Sequence, residues 1–186
     1  MAPTLSDRNF PQTEPHPMTI SMYEASVPVF RQMLGSLDSL MSRAQAHAVD
    51  RKIDPDALLQ ARLFPDMFPL ARQVQIACDF AKSVPARLAA VEVPAYDDTE
   101  QTFAELRARI ARTLAFLEGL DATQFSGSQA REIVLRPGTP KERKIGGQAY
   151  LLAYGLPQFF FHVTTAYDLL RHNGVEVGKK DYMGVY

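Results

Sequence analysis

The residues able to do chemistry in this chain of 186 gather on two stretches, QVQIACDF at 73–80 and QFFFHVTT at 158–165. His162 stands among Phe159, Phe160, Phe161 and Val163, so part of its ring is expected to be shielded from water. An imidazole, with its ordinary pKa near 6.5, suits proton transfer and metal ligation. Two roles are open to it: a neutral histidine hydrogen-bonded across a helical interior, or a metal ligand or proton acceptor in a ligand pocket. Gln158, His162 and Thr165 follow one helical stripe, and burying such groups without partners costs roughly 1 to 3 kcal/mol each. Partners are expected from Gln75, Asp79 and Tyr23 on other helices, as a closed network or as the lining of a small-molecule or ion site. Asp79 follows Gln75 by one helical turn and reads either as a solvated carboxylate or as a hard oxygen ligand. Cys78 is the only cysteine, which excludes an intramolecular disulfide and a thiolate zinc site built within one chain. It is expected to be a small buried thiol, because a nucleophile would need a cation to lower its pKa.

These side chains need helices to position them, and apolar spacing supplies the helices. Met22, Val29, Met33, Leu37 and Leu40 predict a first helix from about Ile20 to His47, with a bend at Pro28. Asp54-Pro55 opens a short helix. A second long helix is expected from Asp66 or Pro69 to Ala89, its end blurred by Pro85, and a third from a cap at Asp97-Asp98-Thr99 to Gly119. Residues 131–146 break the pattern with a short β-rich run around Pro-Gly-Thr-Pro, which predicts a hairpin. A fourth helix follows from about Gln148 to His172, bent where Pro157 removes the hydrogen bond to the carbonyl of Ala153. Tyr167, Asp168, Arg171 and His172 suit its C-terminal end, and the tail after Asn173-Gly174 is expected to be an irregular strap. Residues 1–17, with four prolines, read as a disordered extension before one domain over 18–186. The fold class is all-α: a four-helix bundle with one short helix and a small hairpin before the last helix.

Composition narrows the function. Lys and Arg number 20 against 21 Asp and Glu, so no global field draws the chain to nucleic acid or to anionic membranes. No apolar run reaches the roughly 20 residues of a membrane span. The first residues lack the apolar stretch of a signal peptide, and the expected compartment is the cytoplasm. Seven methionines and an aromatic-rich last helix leave a homodimeric interaction module open as a different kind of function.

The segments ISMYEASVPVF, PLARQVQIACDFAK and GGQAYLLAYGLPQFFFHVTTAYDLLRHNGVEVGKKDY resemble the bacterial domain of unknown function numbered nineteen ninety-three, of the DinB/YfiT-like metalloenzyme superfamily. The resemblance runs from about Met18 to the C-terminus. It implies a DinB-like bundle holding a divalent metal, zinc, nickel or iron, with one histidine from the second helix and an H-x-x-x-H pair from the last. Here the pattern is eroded: His162 matches one of the pair, Gln158 stands for the other, and Gln75, or Gln73, stands for the third. An amide oxygen is a weak ligand for such ions. The leading expectation is a polar central pocket around His162 that binds a small ligand without a strong metal site. The alternative that the resemblance implies is a metal-dependent hydrolase or thiol transferase in which His162, Asp79 and a water hold the ion.

Overall fold

The computed structural model describes residues 20–185; the expected extension over 1–17 lies outside them. Helix α1 (Val27–Arg51) buries Phe30, Leu34, Leu37, Met41, Ala44 and Ala48 at three- and four-residue spacing, which makes one continuous apolar stripe. Pro28 does not bend it. The proline sits in the first turn, where a missing N–H costs nothing, and residues 21–26 form a separate turn braced by the Glu24 carboxylate, which accepts from the Ser21 amide and hydroxyl at 3.0 Å each. A single sequence does not separate a proline that starts a helix from one that kinks it. Lys52, at φ 54°, closes α1, with the Ile53 amide donating back to the Ala48 carbonyl.

Asp54 caps the short α2 (Pro55–Leu59) through its carboxylate and the Asp56 amide. Helix α3 (Leu70–Ala89) starts at the N-cap Pro69 and keeps Pro85 inside its last turns, buried in the core. Helix α4 (Phe103–Glu118) is capped by Thr102, not by the Asp97-Asp98-Thr99 triplet. The Thr102 hydroxyl accepts from the Glu105 amide and the Glu105 carboxylate accepts from the Thr102 amide, a reciprocal box that satisfies two orphan donors. The freed residues 91–102 become an extended crossing with other work to do.

Strands β1 (Glu132–Leu135) and β2 (Arg143–Gly146) pair antiparallel, Ile133 opposite Ile145. From Gly147 the chain is helical to His172, as α5 (Gly147–Ala149), a π-helical turn (Tyr150–Gly155) and α6 (Leu156–His172). The expected bend at Pro157 is thus absorbed upstream: Pro157 enters α6 in its first turn, and the ladder ahead of it widens to the π register. Gly155 lets this run approach α3, since a Cβ there would lie 2.8 and 2.9 Å from the Val84 methyls. The tail is more ordered than a strap. Val175 and Val177 are buried, and α7 (Lys179–Met183) docks on α1 with the Ser36 hydroxyl 2.6 and 2.7 Å from the carbonyls of Asp181 and Tyr182. In the core α3 packs on α6 and α4, and α1 packs on α4 and α7. No helix among the described residues is long and apolar enough to cross a membrane.

Candidate functional site

His162 faces α3 from α6 with 7% of its surface exposed. Its Nδ1 lies 2.7 Å from the Gln73 amide oxygen, and the Gln73 amide nitrogen donates to the Phe68 carbonyl at 3.0 Å. That second bond sets the amide with its oxygen toward the ring, so Nδ1 carries the hydrogen and Nε2 keeps a lone pair. Burial, and after it the positive charge of Arg72, pushes the ring's pKa down to about 4, so it is neutral at physiological pH. The Phe80 ring lies parallel to it, within 15°, at 6.0 Å between centroids.

The other side chains expected around His162 go elsewhere, for reasons of helix geometry. Gln73 and Gln75 are two residues apart and so about 200° apart around α3. Gln73 turns to α6, whereas Gln75 accepts from Arg72 at 3.1 Å and donates to Glu100 at 2.9 Å on the opposite side. Asp79 shares the Gln75 face and binds Lys82 and Arg109, each at 2.8 Å. Thr165 is satisfied within its own helix, donating to the Phe161 carbonyl at 2.7 Å. Tyr23 packs edge-on against Phe125, centroids 5.4 Å apart. Gln158 is half-buried in an open groove with Ala153, Tyr154, Pro157 and Phe161. Cys78 is fully buried, and burial pushes its thiol up to about 12, which leaves it inert as a nucleophile.

The face carrying Gln75 and Asp79 holds the network that organises the 91–102 crossing. Arg109 of α4, its side chain 2% exposed, binds Asp79, Asp98 and Glu100 at 2.8, 2.9 and 3.0 Å and donates to the Asp97 carbonyl at 3.0 Å. Its Nε is buried without a partner. Tyr96 lies under the guanidinium of Arg112 at 4.0 Å and the ammonium of Lys82 at 4.1 Å. One arginine thereby gathers carboxylates from α3 and from the crossing, a clamp that holds the crossing against the bundle.

A cleft of about 300 Å³ opens between α3, the hairpin and the π turn. Phe80, Tyr154 and Leu135 form its apolar walls. At its floor the Arg87 guanidinium donates to the Tyr150 hydroxyl at 3.1 Å and to the Ser83 carbonyl at 3.3 Å. Tyr150 is almost fully buried, and burial raises its pKa, so the hydroxyl stays protonated. Arg136, Lys141 and Arg143 from the hairpin complete the rim. Phe80 links the two places, lining the cleft on one side and stacking on His162 on the other. The groove at Gln158 shares Tyr154 with the cleft. In the sequence this lining showed only as a polar run after Pro-Gly-Thr-Pro and two tyrosines four apart, Tyr150 and Tyr154.

A divalent ion does not fit the donors at His162. Nε2 is the one ring atom open to it, an arginine charge is close enough to depress the ring's pKa, and Asp79 is turned away into two ion pairs. Among the described residues no three His, Cys, Asp or Glu side chains converge.

Comparison with known proteins places this architecture. No curated protein matches the chain. A crystal structure of a DinB family member from Shewanella denitrificans superposes with a TM-score of 0.83 at 44% sequence identity, over 88% of this chain and 92% of that one. The profile of a family described as a domain of unknown function, DUF1993, matches residues 22–183. With the bundle, the hairpin and the helical run 147–172 all inside that match, the chain belongs to the DUF1993 family and carries a DinB-type bundle.

Proposed function

We propose that this chain is a small-molecule-binding bundle that works without a metal at His162, its ligand seated in the cleft between α3, the hairpin and the π turn. The observation that carries the reading is the pairing of Arg87 with the buried Tyr150 hydroxyl at the floor of a concave site walled by Phe80, Tyr154 and Leu135. A concavity that sets aromatic walls against convergent polar groups can seat a ligand, and this one is more charged than most; its 300 Å³ is at the small end of the usual range. π-helical turns are often retained at functional sites, and both cleft tyrosines sit on this one. His162 is then a positioning residue one ring behind the wall: held by Gln73, it backs Phe80. The metal-dependent hydrolase or thiol transferase stands as the alternative, and it would require Asp79 to leave Lys82 and Arg109 and turn toward Nε2 of His162.

Two measurements test the reading. In a thermal-shift screen of small metabolites, hits should disappear in a Tyr154→Ala, Arg87→Gln double variant that keeps the wild-type circular dichroism. Elemental analysis of protein purified without chelators or a metal-affinity tag should find no zinc, nickel or iron near one equivalent. Stoichiometric metal that is lost on His162→Ala would refute the metal-free part.

A further inference from the structure

The charge of the cleft narrows its ligand, on the assumption that the cleft is the binding site as proposed above. Four cations line it: Arg87, Arg136, Lys141 and Arg143. Among the described residues none of the four has a carboxylate within ion-pair distance, although the chain carries slightly more acidic than basic groups. The one acid in the lining, Asp79, is neutralised from behind by Lys82 and Arg109, each 2.8 Å from the same oxygen. Arg87 is oriented by neutral acceptors alone, the Tyr150 hydroxyl and the Ser83 carbonyl, and both of these bonds use Nη1. The remaining N–H groups of its fork keep the planar geometry that matches an oxyanion in two-point contact. Tyr150 accepts from Arg87, and the Ser83 side chain is also within reach of its hydroxyl. Arg136 holds φ 53°, a left-handed conformation costly for a residue with a Cβ and one that recurs at ligand clamps.

We propose that the cleft binds a small phosphate monoester, its phosphoryl group held by Arg87 and the hairpin cations and its flat apolar body laid against Phe80 and Tyr154. Four uncompensated cations around one small volume call for more than a single negative charge, which favours a phosphate dianion over a monocarboxylate. The apolar walls exclude a bare inorganic ion as the best occupant, since they contribute only when a body is present to cover them.

The test is titration calorimetry with three probes: phenyl phosphate, phenol and inorganic phosphate. Phenyl phosphate should bind at least about tenfold more tightly than either of the others, and the affinity should fall as salt is raised. Arg87→Gln should weaken it roughly tenfold and Arg143→Gln, an exposed hairpin change that leaves the core alone, by a few-fold. Lys144→Gln, which removes the partner of Glu132 and lies outside the lining, should leave the affinity unchanged. Equal binding of phenol and phenyl phosphate, indifferent to Arg87→Gln, overturns the phosphate assignment and leaves the cleft as an apolar ligand site. Equal binding of inorganic and phenyl phosphate, weakened as much by Lys144→Gln as by Arg143→Gln, overturns it in favour of a diffuse basic surface. Silence from all three probes overturns it too, and if the metabolite screen is silent as well, the cleft reading falls with it.

Discussion

The buried His162 ring makes the stability of this bundle depend on pH, and the size of the effect can be worked out. In the unfolded chain the imidazole takes up a proton with a pKa near 6.5, whereas in the fold burial and Arg72 hold it at about 4. Between those values the unfolded state binds more protons than the native state, so lowering the pH drains stability. The slope approaches roughly 1.4 kcal/mol per pH unit in mid-window. Integrated from pH 7 to pH 5, the loss is about 2 kcal/mol. The hydrogen bond to Gln73 is not the source of this loss, because Nδ1 donates in both protonation states; the cost is that of a charge formed in a dry place near a second cation. In His162→Gln the amide can still reach Gln73, but nothing there takes up a proton. Urea unfolding followed by circular dichroism at pH 7, 6 and 5 should show wild type losing about 2 kcal/mol more than the variant across the window. The subtraction cancels every other titrating group. An NMR titration should find the ring still neutral at pH 5. Parallel pH profiles for the two proteins, or a ring titrating near its ordinary value, would refute the argument.

Arg109→Met takes from Glu100 its cation and leaves Asp79 to Lys82 and Asp98 to Arg72, so it should cost about 1.5 to 3 kcal/mol, with protease cleavage appearing within 91–102 before the helices are cut. Gly155→Ala drives a methyl against Val84 and should destabilise by about 1 to 3 kcal/mol; adding Val84→Ala should recover part of the loss, so that the double change costs less than the sum of the singles, as read by thermal melts. Cys78 should ignore a thiol reagent in the native protein at pH 8 and react only at the rate of unfolding; fast stoichiometric labelling would contradict its burial.

The architecture was readable because helices announce themselves locally. Leu106, Ile110 and Leu117 bury one face of α4 at a helical period that needs no partner to be seen. Capping was readable too, yet two signals competed. Asp97-Asp98-Thr99 offers three good caps in a row, while Thr102 and Glu105 offer a reciprocal box three residues apart, and the box prevails because it satisfies two backbone donors at once. The Asp98 carboxylate and the Asp97 carbonyl are then free to meet Arg109.

The site was far less legible, and the reason is rotational. Choosing Gln73 or Gln75 as the partner of His162 amounts to choosing which side of α3 faces α6, a difference of about 200° produced by two residues. Phe80, two helical turns beyond Gln73, shares its face and stacks on His162, so the helix itself held a clue in its aromatic register. No such clue exists for the cleft. Its cations come from α3 and from both sides of a hairpin turn, and its tyrosines come from a π turn whose altered register is invisible to any pattern built on 3.6 residues. That turn is also what brings the two halves of the site together. Tyr150 and Tyr154 stack at 5.7 Å, Tyr150 reaches Arg87 and Tyr154 meets Phe80 edge-on at 5.9 Å, so a return of residues 150–155 to regular helix would rotate one tyrosine away from its partner on α3. Deleting Leu152, an exposed residue within the turn, should therefore remove ligand binding while the bundle still melts cooperatively. Binding that survives the deletion would mean that the π register plays no part in shaping the cleft.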